Sequence, residues 1–142
     1  MKQLKLSNQL CFPIYALSRL VTSHYLPLLN ELDLTYPQYL VMLLLWEHQT
    51  LSVKALGKEL RLDSGTLTPL LKRLESKKMI KRVRSKEDER IVNIHLTEQG
   101  SQLKIQAADI PNQIQCSMGF TAEEFKTLKS VIGGVLRRHA EE

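Results

Sequence analysis

The sequence predicts a mainly α fold with a small β hairpin, and three observations carry that prediction. Apolar residues recur at three and four positions along most of the chain, as at Leu67, Leu70, Leu71 and Leu74, which is the stripe of an amphipathic helix. Two-residue alternation takes over only at 80–85 and 91–96, on either side of the charged loop 86–90. Helix-start residues mark the boundaries, among them Thr35, Ser52 and Thr121.

In chain order, Leu10, Ile14, Leu17, Val21, Tyr25 and Leu28 predict a long first helix over about 7–32. Pro13 fits its first turn, where a missing N–H does little harm, and Pro27 should kink or shift its last turn. Asp33 and Leu34 make a break. Thr35 and Pro37 then open a second helix that runs to about Glu47. Its core, YLVMLLLW, is apolar nearly all round and should be the most deeply buried element. Ser52 caps a short helix over 53–60, with Val53, Leu56 and Leu60 facing inward. After the turn at 61–63 comes a helix that local signals alone would start at Pro69, with Thr68 as its cap. The hairpin follows. Thr97 and Glu98 restart helix to about Cys116, bent by Pro111, and Thr121 with Glu124 forms a capping box for a last helix striped by Phe125, Leu128, Val131 or Ile132, and Val135.

At 142 residues, 43% hydrophobic and 25% charged, the chain suits one globular domain and not a disordered one. The longest apolar run, 40–46, is too short to span a membrane, and the first residues lack the apolar centre of a secretory signal, so a cytosolic protein is expected. Cys11 and Cys116 are then not a structural staple by default. The net charge of +5 sits entirely in 72–90, where nine cations (Lys72, Arg73, Lys77, Lys78, Lys81, Arg82, Arg84, Lys86 and Arg90) face four anions. Such a patch is the footprint of a polyanion, and its sign alone would suit duplex DNA, RNA or an anionic membrane. The helix before the hairpin presents Gly65, Pro69, Lys72, Arg73 and Ser76 opposite its leucines. Small residues there allow close approach to a duplex, and the cations can reach phosphates or guanine edges. His24, His48, His95 and His139 are scattered singly, so no metal site is expected, and Gly133–Gly134 lacks the strand of a phosphate loop. No cofactor is implied.

The run LDSGTLTPLLKRLE, with KRVRSKEDER and LTEQG after it, resembles the DNA-binding core of the MarR family over roughly 52–100. The resemblance implies a winged helix-turn-helix in a single domain spanning 1–142. Residues 35–96 would form the DNA-binding lobe, and 7–34 with 97–142 would supply the dimerisation helices. It starts the recognition helix near Ser64, so Ser64, Gly65, Thr66, Thr68, Pro69, Lys72 and Arg73 would meet the major groove. Arg82, Arg84, Lys86 and Arg90 would lie on the wing, with Arg90 in the minor groove. Leu10, Leu17, Leu20, Ile105, Ile110, Ile114, Leu128, Ile132 and Leu136 would be partly exposed in a monomer, which predicts a homodimer on a pseudo-palindromic operator. The chain departs from the pattern at Arg61, where relatives commonly carry an aromatic residue, and at Lys77–Lys78, which replaces a small residue and a glycine.

Cys11 lies early in the first helix, with Tyr15 one turn later, and all four tyrosines fall within the first 39 residues. A helix N-terminus and phenolic donors both favour a thiolate. Spacing alone favours instead a small buried hydrophobe among amphipathic fillers. The blocks LCFPIYALSRL, LTYPQYLVMLLLWE and LDSGTLTPLLKRLE together resemble the organic-hydroperoxide-sensing (OhrR-type) branch of that family over nearly the whole chain. That resemblance implies a peroxidatic Cys11, with Tyr25 and Tyr36 hydrogen-bonded to it, one of them from the other subunit. It also places Cys116, in PNQIQCSMGF, where two-cysteine members keep a thiol near the end of the fifth helix that resolves the oxidised sulfur across the dimer. The alternative is a repressor released by non-covalent binding of a lipophilic or phenolic ligand. An enzyme such as a thiol peroxidase is not expected, since no second catalytic constellation accompanies Cys11.

Overall fold

Seven helices and three short strands make up the computed structural model, which describes residues 1–140. Two 3-10 turns, Lys2–Leu4 and Leu6–Asn8, precede α1, Cys11–Glu31. The helix therefore starts four residues later than 7–32 predicts. The late start has a physical cause: a helix already running at Gln9 would drive the Pro13 ring into that residue's carbonyl, whereas a start at Cys11 keeps Pro13 in the first turn. Pro27 lies inside α1, and the helix continues past it to Glu31.

Thr35 and Gln38 form a full capping box at the head of α2, Tyr36–His48. As its composition predicts, α2 is the most enclosed element: Tyr39, Val41, Met42, Leu45 and Trp46 are all buried. The Ser52 hydroxyl accepts from the Ala55 N–H to start α3, Val53–Leu60, and α4 follows as Ser64–Ser76. Strands β2, Ile80–Arg84, and β3, Val92–Leu96, form the expected hairpin. The structure adds a third strand, β1, Thr50–Ser52, which pairs antiparallel with β3 and sets Leu51 opposite Ile94. Three residues that also include a helix cap show no alternation to read, so only the pairing defines this strand.

The long helix expected from Thr97 to about Cys116 is two helices, α5, Glu98–Ala107, and α6, Ile110–Met118. The break comes before Pro111, which falls in the first turn of α6, where its missing N–H is harmless. Breaking there turns Ile110 and Ile114 inward to 4% and 8% exposure, with α6 packed on α1. Those two residues therefore leave the set expected to face a partner. Leu10, Leu20, Ile105, Ile132 and Leu136 stay exposed, and Leu17 and Leu128 are half-buried. The last helix, α7, Ala122–Arg138, has the predicted Thr121–Glu124 capping box and buries no residue within the chain. No helix of the described residues is long and apolar enough to cross a membrane.

Closure of the lobe turns on Gly100. The Trp46 indole N–H donates to its carbonyl at 2.8 Å in the interior. A Cβ at this position would stand 2.2 Å from the Met79 carbonyl oxygen and 2.9 Å from a Leu96 methyl. Main chain cannot swing aside as a side chain can. Gly100→Ala should therefore destabilise the protein by about 2–3 kcal/mol, read as a lower urea midpoint at fixed protein concentration.

Candidate nucleic-acid interface and thiol site

Helix α4 is held by Leu67, Leu71 and Leu74, which are buried in the core, while Ser64, Gly65, Thr66, Pro69, Lys72 and Arg73 are exposed and Thr68 is half-buried. The start at Ser64 agrees with the family resemblance and not with the local Thr68–Pro69 signal. Asp63, which sequence reasoning passed over, is the true cap: its carboxylate accepts from the Thr66 N–H at 2.7 Å. That bond, followed by the Thr66 hydroxyl, holds the Asp63 carboxyl below its ordinary range. Pro69 sits inside the helix and deprives the Gly65 carbonyl of its usual donor, on a face that water can reach.

The wing loop, 85–91, is shaped by its own side chains. Ser85 Oγ accepts from the N–H groups of Glu87 and Asp88, and the Arg84 guanidinium donates to the Glu89 carbonyl at 3.0 Å. At the tip Arg90 donates to Asp88 at 3.1 Å while its side chain stays 91% exposed. The same contact holds the Asp88 carboxyl below its ordinary range. Lys86 is exposed beside them. Between α3, α4 and this wing runs a groove of about 1440 Å³, bordered by Ser64, Thr68, Arg84 and Arg90, with Lys54 and Lys58 added from α3. Its cationic rim suits a nucleic-acid backbone.

Two arginines near the groove also make contacts within the protein. Arg82 donates from both Nε and Nη2 to one Glu75 oxygen, at 3.2 and 3.0 Å, and its own N–H reaches the other. It therefore ties the wing to α4, while its half-buried side chain still borders the groove. Arg61, a position where the chain departs from its resemblance, takes left-handed backbone at φ 53° and donates to the Leu136 and His139 carbonyls at the end of α7. A guanidinium at those carbonyls satisfies the negative end of the helix dipole.

The thiol site is divided between distant places. Cys11 is the first residue of α1, exposed, with no side-chain cap bond ahead of it, among the exposed Leu10, Phe12, Ile14 and Tyr15. Tyr15 stands apart from the other phenols, its ring 5.6 Å from the Arg19 guanidinium. Tyr25 and Tyr36 come together with ring centroids 4.8 Å apart, joined by Tyr39 at 5.6 Å from Tyr25, a third member that the sequence did not single out. Burial, then the neighbouring Tyr36 and Tyr39, pushes Tyr25 up to about 12, and burial raises Tyr36 and Tyr39 as well. At neutral pH all three are hydrogen-bond donors.

Distance settles what one chain can do with these groups. Cys11 and Tyr25 share one helix fourteen residues apart, about 21 Å along its axis. Cys116, also exposed, is on α6, not on the fifth helix, and its neighbour Ser117 meets His24 at 3.1 Å. Cys116 therefore lies level with Tyr25, and it too is remote from its own chain's Cys11. A disulfide needs Cα atoms within about 7 Å, so the two thiols of one chain cannot bond in this fold.

Residues 23–107 match the family described as transcriptional regulator SarA/Rot. The chain is 57% identical to the organic hydroperoxide resistance transcriptional regulator of Bacillus subtilis over 129 residues, 91% of this chain and 88% of that one. In three dimensions it resembles AbfR of Staphylococcus epidermidis. The reduced, DNA-bound form superimposes with a TM-score of 0.80 at 37% identity, over 99% of this chain and 98% of the other. The disulfide form of the same protein gives 0.63 at 36% identity, over 95% of both.

The Arg82–Glu75 contact has a pH signature. Hydrogen bonds from the Arg82 side chain, then from its N–H, hold the Glu75 carboxyl below its ordinary 4.5. The pair thus contributes fully above pH 4.5 and is lost as pH falls through the depressed value. Arg82→Met should lower stability at pH 7 by up to about 1 kcal/mol, since the pair is partly solvated. The gap between variant and wild type should close in acid, as followed by urea midpoints across pH.

Proposed function

The chain belongs to the MarR-type family of winged helix-turn-helix transcriptional regulators, and from that premise we propose that it is a repressor released from DNA by organic hydroperoxides, with a sensor completed only between two copies. As a member of that family it is a DNA-binding transcriptional regulator. In this reading α4 enters the major groove through Ser64, Gly65, Thr66, Thr68, Pro69, Lys72 and Arg73, and the wing brings Arg84, Lys86 and Arg90 to the backbone and minor groove. Residues 35–96 form the reading lobe, and the helices within 7–34 and 97–142 pair two chains on a pseudo-palindromic operator.

The observation that carries the sensor is the separation of Cys11 from Tyr25 on one rigid helix, with Cys116 level with that tyrosine. Antiparallel pairing of two α1 helices brings Cys11 of one chain to Tyr25, Tyr36 and Cys116 of the other. Because Tyr25 and Tyr36 are in ring contact, both phenols come from the same partner, which revises the expectation that the two subunits share them. Two phenol donors and the open first turn of α1 favour the thiolate. The thiolate attacks the distal oxygen of ROOH: an S–O bond forms, the O–O bond breaks, sulfur gives up two electrons, and the alkoxide leaves as the alcohol on taking a proton from solvent. Cys11 is then a sulfenic acid. The partner's Cys116 thiol attacks that sulfur, an S–S bond forms and water leaves. AbfR, related and solved both reduced on DNA and as a disulfide, supports the final step as a change of shape.

Non-reducing electrophoresis before and after cumene hydroperoxide, alongside DNA binding, tests the scheme. A dimer-sized band should form in wild type and be lost in both Cys11→Ser and Cys116→Ser, and Cys11→Ser should stay on DNA. Release of Cys11→Ser by the peroxide would point instead to a non-covalent ligand. Tyr25→Phe removes one donor to a charged sulfur, worth about 1.5–3 kcal/mol. It should slow sulfenic acid formation at neutral pH by roughly tenfold or more, measured by trapping and mass spectrometry.

A further inference from the structure

Lys77 stands at the C-cap of α4, and its ammonium reaches the bend between α1 and α2. It donates to the Asp33 carbonyl, lies 3.3 Å from the Asp33 carboxylate and reaches Gln38 Oε1 at 3.4 Å, with the side chain 27% exposed. Asp33 is the left-handed residue, φ 53°, just past the end of α1. Gln38 belongs to the capping box that starts α2 at Tyr36. One ammonium thus holds both sides of the bend between α1, which carries Tyr25, and α2, which carries Tyr36.

We propose that Lys77 is the positioning residue that couples the Tyr25–Tyr36 pair to the recognition helix, so that displacing one phenol from the other shifts the C-terminal end of α4. This rests on the hydroperoxide-sensor reading and names the part of the chain that transmits it. An exposed ion pair alone would be too weak to transmit anything, since water screens the Asp33 carboxylate. The carbonyl and amide contacts are different: they join an ammonium to uncharged acceptors on either side of the bend, and the cation also sits just past the negative end of α1. Lys78, next in the chain at φ 62°, turns directly into β2, so a shift at Lys77 reaches the wing as well. The pair Lys77–Lys78 is also one of the places where this chain departs from its resemblance. With its donors facing the protein, Lys77 is not a phosphate contact.

The test compares wild type, Lys77→Met and Lys77→Arg on a duplex selected from a random pool by the reduced wild-type protein. Binding is measured before and after cumene hydroperoxide, with the state of Cys11 and Cys116 read by mass spectrometry. Reduced Lys77→Met should bind within about threefold of wild type with an unchanged salt slope, and its cysteines should oxidise as in wild type. Its loss of affinity on oxidation should be at least tenfold smaller than that of wild type, and Lys77→Arg should restore most of it. Oxidised Lys77→Met that leaves DNA as wild type does would overturn the coupling. So would a reduced Lys77→Met that has already lost binding tenfold or more, which marks a merely structural role. Oxidised wild type that keeps its DNA sinks the sensor reading itself, and the coupling falls with it.

Discussion

A helix is a ruler, and the rest of this protein is arranged around the length of one. Helix α1 rises about 1.5 Å per residue, so Cys11 and Tyr25 are held about 21 Å apart for as long as the helix is intact. No rotamer closes that gap. The same helix carries α6 at its far end, which keeps Cys116 away from Cys11 by a similar span. A thiol at one end and phenols at the other cannot meet within one chain.

The reading lobe is built on the opposite principle, close packing about a single buried helix. Helix α2 offers apolar side chains in every direction, and α1, α3, α4, α5 and the sheet all rest on it. Dense packing of this kind moves elements as bodies instead of deforming them. Ties at the edges then decide which bodies move together: Arg82–Glu75 joins wing to α4, Trp46–Gly100 joins α2 to α5, and Lys77 joins the end of α4 to the bend beside Tyr36. The outward side of the lobe keeps the exposed cations for a polyanion, and the terminal helices keep exposed apolar faces for a second copy.

Much of this was legible in the residues. The capping box at Thr121, the Ser52 cap, the leucine stripe of α4 and the hairpin around 86–90 are local patterns, and local patterns stay in the sequence. Strand β1 was not legible because three residues hold no period. The break between α5 and α6 was misplaced because Pro111 was read as the cause of a bend when it tolerates the start of a new helix. Thr68–Pro69 looked like a cap because the local signal knows nothing of Leu67, whose burial commits the preceding turn to the helix.

Charge was the least transparent property. The sequence determined that 72–90 carries the whole excess of positive charge, that α2 must be interior and that Cys11 lies early in a long first helix, because composition and periodicity act over a few residues. Only the tertiary structure decided that Arg82 and Lys77 turn their charge to groups of the protein, that Arg61 caps α7, and that Tyr25 joins Tyr36 and stands far from its own chain's Cys11. Those outcomes depend on which distant carboxylates, carbonyls and rings the packing brings within a few ångströms, and no spacing along the chain encodes that distance.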